Sequence, residues 1–204
     1  MNKRIGLFGG TFDPVHMGHI NAATTLFKKL KLDKLFLIPA FISPLKKKIK
    51  PIDYLHRLKM LKIATQEYDF LNVSDYELKK SEISYSFNTL NFFKKNYFDL
   101  NLFFFLGSDS LLYLDKWFKI DEIFNLCNVV IFNRPDYENI SNLLLKSNLK
   151  DYQKNHINKN IVKISSEKIS SSQIRQKILL KKDITNYLLP EVYSYIVSNN
   201  LYKG

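Results

Sequence analysis

Cysteine is almost absent: Cys127 is the only one in 204 residues. A disulfide framework is thereby excluded, and a cysteine-built metal site is disfavoured. No apolar run approaches the ~18 residues needed to cross a bilayer. No signal-peptide pattern precedes the strand-like segment that opens at Lys3-Arg4, so a cytoplasmic setting without a membrane partner is expected. Internal repeats and Gly/Ser linkers are also missing. A single domain over residues 1–204 is expected, with C-terminal helices, about 171–204, packed on it. Acid is scarce as well, 19 Asp+Glu against 31 Lys+Arg, for a net charge of +12. Such a charge suits a polyanionic partner. The lysines are scattered rather than striped, however, and the abundance of Lys, Asn, Ile and Phe has the look of AT-rich coding. No nucleic-acid partner is expected.

Hydrophobic residues make up 46% of the chain, enough for a sizeable core. Short apolar runs alternate with longer amphipathic segments. Arg4–Phe8, Leu35–Ile38, Asn72–Tyr76, Leu102–Leu106, Asn128–Phe132 and Ile161–Ile164 read as strands. Helices are expected from Gly18 to about Lys31, Pro51 to about Glu67 (with Leu55, Leu58, Leu61 and Ile63 apolar), Tyr85–Asn96, Ile140–Asn155, Ser171–Leu180 and Glu191–Asn199. This alternation predicts an α/β fold: a Rossmann-like, doubly wound parallel sheet with helices on both faces and ligands at the carboxyl ends of the strands.

The chemistry concentrates first at KRIGLFGGTFDPVHMGHI, Lys3–Ile20. Gly9 and Gly10 end the first strand without side chains, so the backbone can turn and a ligand can approach. Thr11 offers a hydroxyl, and Asp13-Pro14 is turn chemistry. A helix then begins near Met17, and its free N–H groups and partial positive charge suit a phosphate. His16 and His19, three apart, can both face that site, and Gly18 leaves room beside them. Zinc would need further ligands, and only His56, His156 and Cys127 remain, so no metal-ligating residue is assigned. Neither GxxxxGK[ST] nor GxGxxG occurs, which excludes a P-loop hydrolase and an ordinary dinucleotide reader. A second segment, KISSSQIR, Lys168–Arg175, places serines before an amphipathic run as a helix cap would. Three hydroxyls, a helix N-terminus and Arg175 would also clamp a triphosphate.

GGTFDPVHMGHI resembles the signature of the HxGH nucleotidylyltransferase superfamily, and Ile169-Ser-Ser-Ser-Gln-Ile-Arg175 resembles its ISSTxIR segment, with Ser172 in place of Thr. The middle of the chain narrows the likeness. Leu106-Gly-Ser-Asp-Ser-Leu-Leu, Lys116-Trp117-Phe118, Ile123 and Asn133-Arg134-Pro135 are similar to the corresponding stretch of bacterial nicotinate-nucleotide adenylyltransferases. So are Glu77-Leu78, Ser84-Tyr85-Ser86-Phe87, Thr89-Leu90 and Leu188-Leu189-Pro190-Glu191-Val192. Two departures stand out: Ser43-Pro44-Leu45-Lys46 replaces a PPHK-like loop, and Ser86 replaces a common Thr.

The resemblance implies adenylyl transfer from ATP to nicotinate mononucleotide with release of pyrophosphate, and Mg2+ as the accompanying cation. It implies catalytic roles for His16, His19 and Arg175. ATP would meet Gly9, Gly10, Thr11, Phe12, Gly18, Lys46, Gly107, Asp109, Arg134, Ile169, Ser171 and Ser172. The pyridine nucleotide would meet Tyr85, Ser86, Trp117 and Phe118, with the indole of Trp117 as a platform for a cationic ring. On residues alone Trp117 also reads as core and Asp109 as a helix cap, and Arg134 pairs as readily with a local carboxylate. Acceptor identity stays open between the acid, the amide and phosphopantetheine. A non-catalytic nucleotide- or RNA-binding module is the rival from another class. A homo-oligomer is compatible with the sequence.

Overall fold

A computed structural model of the chain describes residues 3–44, 51–97, 99–165 and 169–203. The lysines at 46–48 and Lys168, singled out above, lie outside these.

Strand β1 (Lys3–Gly10) runs through the centre of a parallel sheet, with β2 (Lys34–Pro39) on one side and β4 (Leu100–Gly107) on the other. Beyond β2 lies β3 (Leu71–Val73); beyond β4 lie β5 (Asn128–Phe132) and β6 (Ile161–Val162). Among the described residues the order is therefore β3-β2-β1-β4-β5-β6. The winding reverses between β1 and β4, and at such a point the carboxyl ends of the strands splay to leave a crevice.

Both faces of the central strands are covered, as their near-continuous apolar sequences require. Phe8, Phe103, Phe105, Val130 and Phe132 join one core, together with α1 (Met17–Lys29), α2 (Tyr54–Thr65), α8 (Ser171–Leu179) and α9 (Pro190–Ser198). Leu7, Leu102, Phe104, Val129 and Ile131 join the other, with α4 (Ser86–Asn96), α5 (Ile120–Leu126), α6 (Ile140–Lys146) and α7 (Asp151–Asn158). The period of two along each strand sorts side chains into these layers.

Some boundaries differ from the sequence expectation, each for a local reason. Pro51 does not open α2: Asp53 caps it by accepting from Leu55 N–H at 2.8 Å. The buried face of α2 is Arg57, Met60, Leu61 and Ala64, whereas Leu55 is exposed. The expected strand to Tyr76 stops at Val73, and a short helix α3 (Tyr76–Lys80) follows, ended by Ser81 at φ 52°. The expected helix 140–155 is two, because Ser147 turns extended and donates back to Leu144 O (2.8 Å) while Lys150 N–H restarts capping on Gln153 Oε1 (2.9 Å). Ile164 leaves the sheet because its N–H donates to Asn133 Oδ1 at 2.7 Å. Among the described residues no helix is long and apolar enough to cross a membrane.

Candidate active site

The turn after β1 is shaped by contacts that only its residue types permit. A Cβ on Gly10 would come within 2.9 Å of the Phe12 ring. Phe12 itself adopts φ 49°, an uncommon conformation for a bulky residue, and buries its ring. A cis Asp13-Pro14 peptide follows. His16 then stands as N-cap of α1 in extended conformation, with its carbonyl accepting from His19 N–H at 2.9 Å. The His16 backbone N–H donates to His19 Nδ1 at 3.3 Å. A neutral ring that accepts through Nδ1 carries its own proton on Nε2. The two imidazoles lie 3.8 Å apart between centroids, and the Phe12 ring abuts His19 edge-on at 4.9 Å.

Both histidines line a small cleft, open to solvent, together with Phe8, Gly18, Arg134 and Ile169. His16 is 4% exposed, and neither of its ring nitrogens has a hydrogen-bond partner among the described residues. Burial, and secondarily the positive charge of Arg134, push its pKa down to about 3, so the ring is neutral at ordinary pH.

Across the crevice, β4 ends at Gly107. A Cβ there would lie 2.5 Å from Asp109 Oδ1 and 2.6 Å from Arg134 Nε. Glycine at this point lets Asp109 and Arg134 approach to 3.7 Å. The Arg134 N–H donates to the buried Ser108 hydroxyl at 2.9 Å, which fixes the start of the loop after β5.

Helix α8, from the far end of the sequence, packs on the turn before His16. Ser170 caps it, and Gln173 Oε1 accepts from Ser170 N–H at 2.8 Å. Ser171 Oγ donates to Pro14 O at 2.9 Å. Arg175 Nη1 donates to Asp13 O at 2.6 Å and lies 3.8 Å from Asp13 Oδ2; its Nη2 donates to Ser172 Oγ at 3.3 Å. The second motif thus docks on the first. Ser171 and Arg175 are thereby held on the Asp13-Pro14 turn that precedes His16, with Ser172 bonded to Arg175. Lys46 lies outside the described residues.

The residues expected for the second substrate form a neighbouring group. Tyr85 is the N-cap of α4 and Ser86 its first residue. The Tyr85 ring lies 4.9 Å from that of Phe118, which is half-exposed, and Lys119 Nζ sits 4.5 Å over Phe87. Trp117 is half-buried against the core beside Phe104 (6.2 Å), and its Nε1 is buried with no partner among the described residues. Beneath this group the Thr89 hydroxyl donates to Glu77 Oε1 at 2.5 Å. Burial raises the Glu77 pKa, opposed by the hydroxyls of Thr89 and Ser84.

Three residues of the site were missed at the sequence level. Asp13 is 4% exposed and accepts from the Tyr202 hydroxyl at 2.7 Å as well as meeting Arg175. Tyr202 is half-buried near the C-terminus, and its desolvation and the Asp13 carboxylate raise its pKa. Arg57 is buried behind the first turn. An aspartate before proline reads as a turn and a lone arginine in a helix as surface, so neither carried a signal.

A cytidylyltransferase-like family profile matches residues 7–177 of this chain. It is 38% identical to a probable nicotinate-nucleotide adenylyltransferase of Clostridium botulinum (strain Loch Maree / Type A3), over 100% of both chains. It is 35% identical to the Clostridium perfringens (strain SM101 / Type A) protein of the same name, over 98% of each. The fold matches that of the Plasmodium falciparum nicotinic acid mononucleotide adenylyltransferase complexed with NaAD, with TM-score 0.79 and 20% identity, covering 98% of this chain and 97% of that one. The chain belongs to the cytidylyltransferase-like nucleotidyltransferases and, within them, to the nicotinate-nucleotide adenylyltransferase family.

Proposed function

We propose that the protein transfers the adenylyl group of ATP to nicotinate mononucleotide, giving nicotinate adenine dinucleotide and pyrophosphate. The observation that carries this is the His16–His19 pair at the N-terminus of α1, set in the switch-point cleft opposite Arg134. The names of the Clostridium relatives and the ligand of the Plasmodium structure agree with it.

The nucleophile is the acceptor's own 5′-phosphate, anionic near neutral pH. Its oxygen forms a bond to the α-phosphorus as the bond from that phosphorus to the β-bridging oxygen breaks, and the electron pair leaves with pyrophosphate. No protein nucleophile is required, so the protein's task is alignment and stabilisation of charge. A neutral His16 can donate one N–H to a phosphate oxygen, and His19 can donate through Nε2, nearest the α-phosphate. Ser171, Ser172 and Arg175 hold the β and γ groups; a guanidinium carries five N–H donors, so the bonds to Asp13 and Ser172 leave others for phosphate. Gly9, Gly10, Thr11, Phe12, Gly18 and Ile169 shape the nucleotide's bed, and Lys46 contributes charge. Gly107 and Asp109 meet the ribose, with Arg134 bordering the base. Tyr85, Ser86, Trp117 and Phe118 enclose the pyridine ring. Mg2+ bound with ATP would lower the charge repulsion that an incoming phosphate meets. Among the described residues no group of three or more His, Cys, Asp or Glu could cage it. That donor set fits an ion held mainly by phosphate oxygens and water.

Direct in-line attack has a stereochemical signature. ATP bearing a chiral thiophosphate at the α position should yield dinucleotide of inverted configuration at phosphorus. Retention would require a covalent enzyme intermediate and contradict the mechanism.

A further inference from the structure

Arg57 holds a guanidinium that none of the phosphate-binding roles uses. It is 1% exposed, on the inward face of α2. Among the described residues no carboxylate comes within ion-pair distance of it, and backbone carbonyls take its N–H groups instead. Nε donates to Ile52 O at 3.2 Å, Nη1 to Thr11 O at 3.0 Å and Ala40 O at 2.6 Å, and Nη2 to Phe41 O at 3.4 Å. Burying an unpaired charge is costly, and an apolar side chain would pack α2 with less penalty. What the charge does that packing cannot is hold carbonyls of three separate segments: the turn after β1, the loop after β2 and the approach to α2.

A trans peptide gripped by its carbonyl points the next N–H the opposite way. Gripping Ala40 O turns Phe41 N–H toward Ser84 Oγ, 2.9 Å away, and Ser84 N–H returns to Ile42 O at 2.9 Å. The next residue is Tyr85, cap of α4. Gripping Thr11 O precedes the left-handed turn at Phe12, a conformation that persists only where its surroundings enforce it. That turn sets the Phe12 ring against His19. We propose that Arg57 is a positioning residue for both halves of the site, acting on His19 through Thr11 and Phe12 and on Tyr85 through the Ala40–Phe41 segment and Ser84.

The proposal rests on the adenylyl-transfer reading for its kinetic arm but not for its spectroscopic one. Arg57→Met and Arg57→Lys are compared with wild type by steady-state kinetics on titrated active sites and by imidazole NMR of the protein's four histidines. His156, bonded to Val129 N–H on β5, serves as the remote control. In Arg57→Met the His19 signal should shift while that of His156 stays, and kcat should fall by about tenfold or more with the KM for MgATP changed less than about twofold. Arg57→Lys should restore only part, since one ammonium lacks the planar fork that spans the three segments. An unmoved His19 signal, or a loss confined to the fraction of active sites, overturns the proposal. Should Arg57→Met not fold, Phe12→Leu and Arg57→Lys, singly and combined, decide the His19 route. Non-additive losses in kcat support it, and additive ones overturn it. If wild type forms no dinucleotide, the functional reading fails by itself, and the NMR comparison still decides the role of Arg57.

Discussion

The His19 ring accepts a backbone N–H at Nδ1 and packs against a neighbouring imidazole and the rings of Phe12 and Phe8. On the proposed adenylyl-transfer reading its Nε2–H is the donor nearest the α-phosphate, and preorganised donors of this kind are worth the most where charge develops in the transition state. We expect His19→Ala to lower turnover by roughly 10²–10³ with the fold intact, measured as pyrophosphate release per active site. Turnover within about threefold of wild type would remove His19 from that role.

His16 makes a separate prediction through its protonation. Its folded pKa of about 3 lies below the ordinary 6.5, so the unfolded chain binds a proton that the folded chain refuses as pH falls. The stability it contributes is complete above pH 6.5 and is lost progressively toward pH 3. Between pH 7 and about pH 5 this amounts to about 2 kcal/mol. Urea unfolding at those pH values should show that loss in wild type and a smaller one in His16→Asn. Equal losses would mean that other groups carry the acid sensitivity. Cys127, by contrast, is buried, with burial pushing its thiol up to about 12, so the thiol stays protonated at ordinary pH.

At the scale of elements, the two motifs proposed to hold phosphate are legible in sequence because each is a helix start with its own turn and cap residues. Their mutual docking is not, since it depends on Asp13, Arg175 and Tyr202, which are scattered over the chain. The same holds for α2. Its apolar spacing suggested a face through Leu55, whereas the buried side is rotated to bring Arg57 inward, where its guanidinium meets the carbonyls of Thr11, Ala40, Phe41 and Ile52. The split between α6 and α7 was hidden by two helical patterns in series, and only the bonding of Ser147 and Gln153 separates them.

The docking itself is testable. Tyr202→Phe removes one donor from a buried carboxylate and should cost about 1–3 kcal/mol of stability. Amide exchange should speed up first in α8, whose Arg175 shares that carboxylate. Unchanged stability and exchange would show that Tyr202 packs without holding Asp13.

For the whole molecule, the strand order was readable in outline because apolar runs alternating with amphipathic helices admit few parallel arrangements. What followed was the location of the site, since β1 and β4 flank the reversal of winding and each ends in glycine. The group proposed to enclose the acceptor ring was less accessible. Tyr85 stands at the start of α4 and Trp117-Phe118 in the segment before α5, far apart in sequence, and the Trp117 ring is turned partly into the core beside Phe104. Selectivity among acceptors is accordingly the property on which the functional reading is most exposed.

The most direct test is pyrophosphate release from MgATP by the full chain, with nicotinate mononucleotide, nicotinamide mononucleotide, phosphopantetheine or no acceptor in parallel. We expect the highest kcat/KM with nicotinate mononucleotide and nicotinate adenine dinucleotide as product. A clear preference for another acceptor, or no release from folded protein that binds ATP, would contradict the assignment.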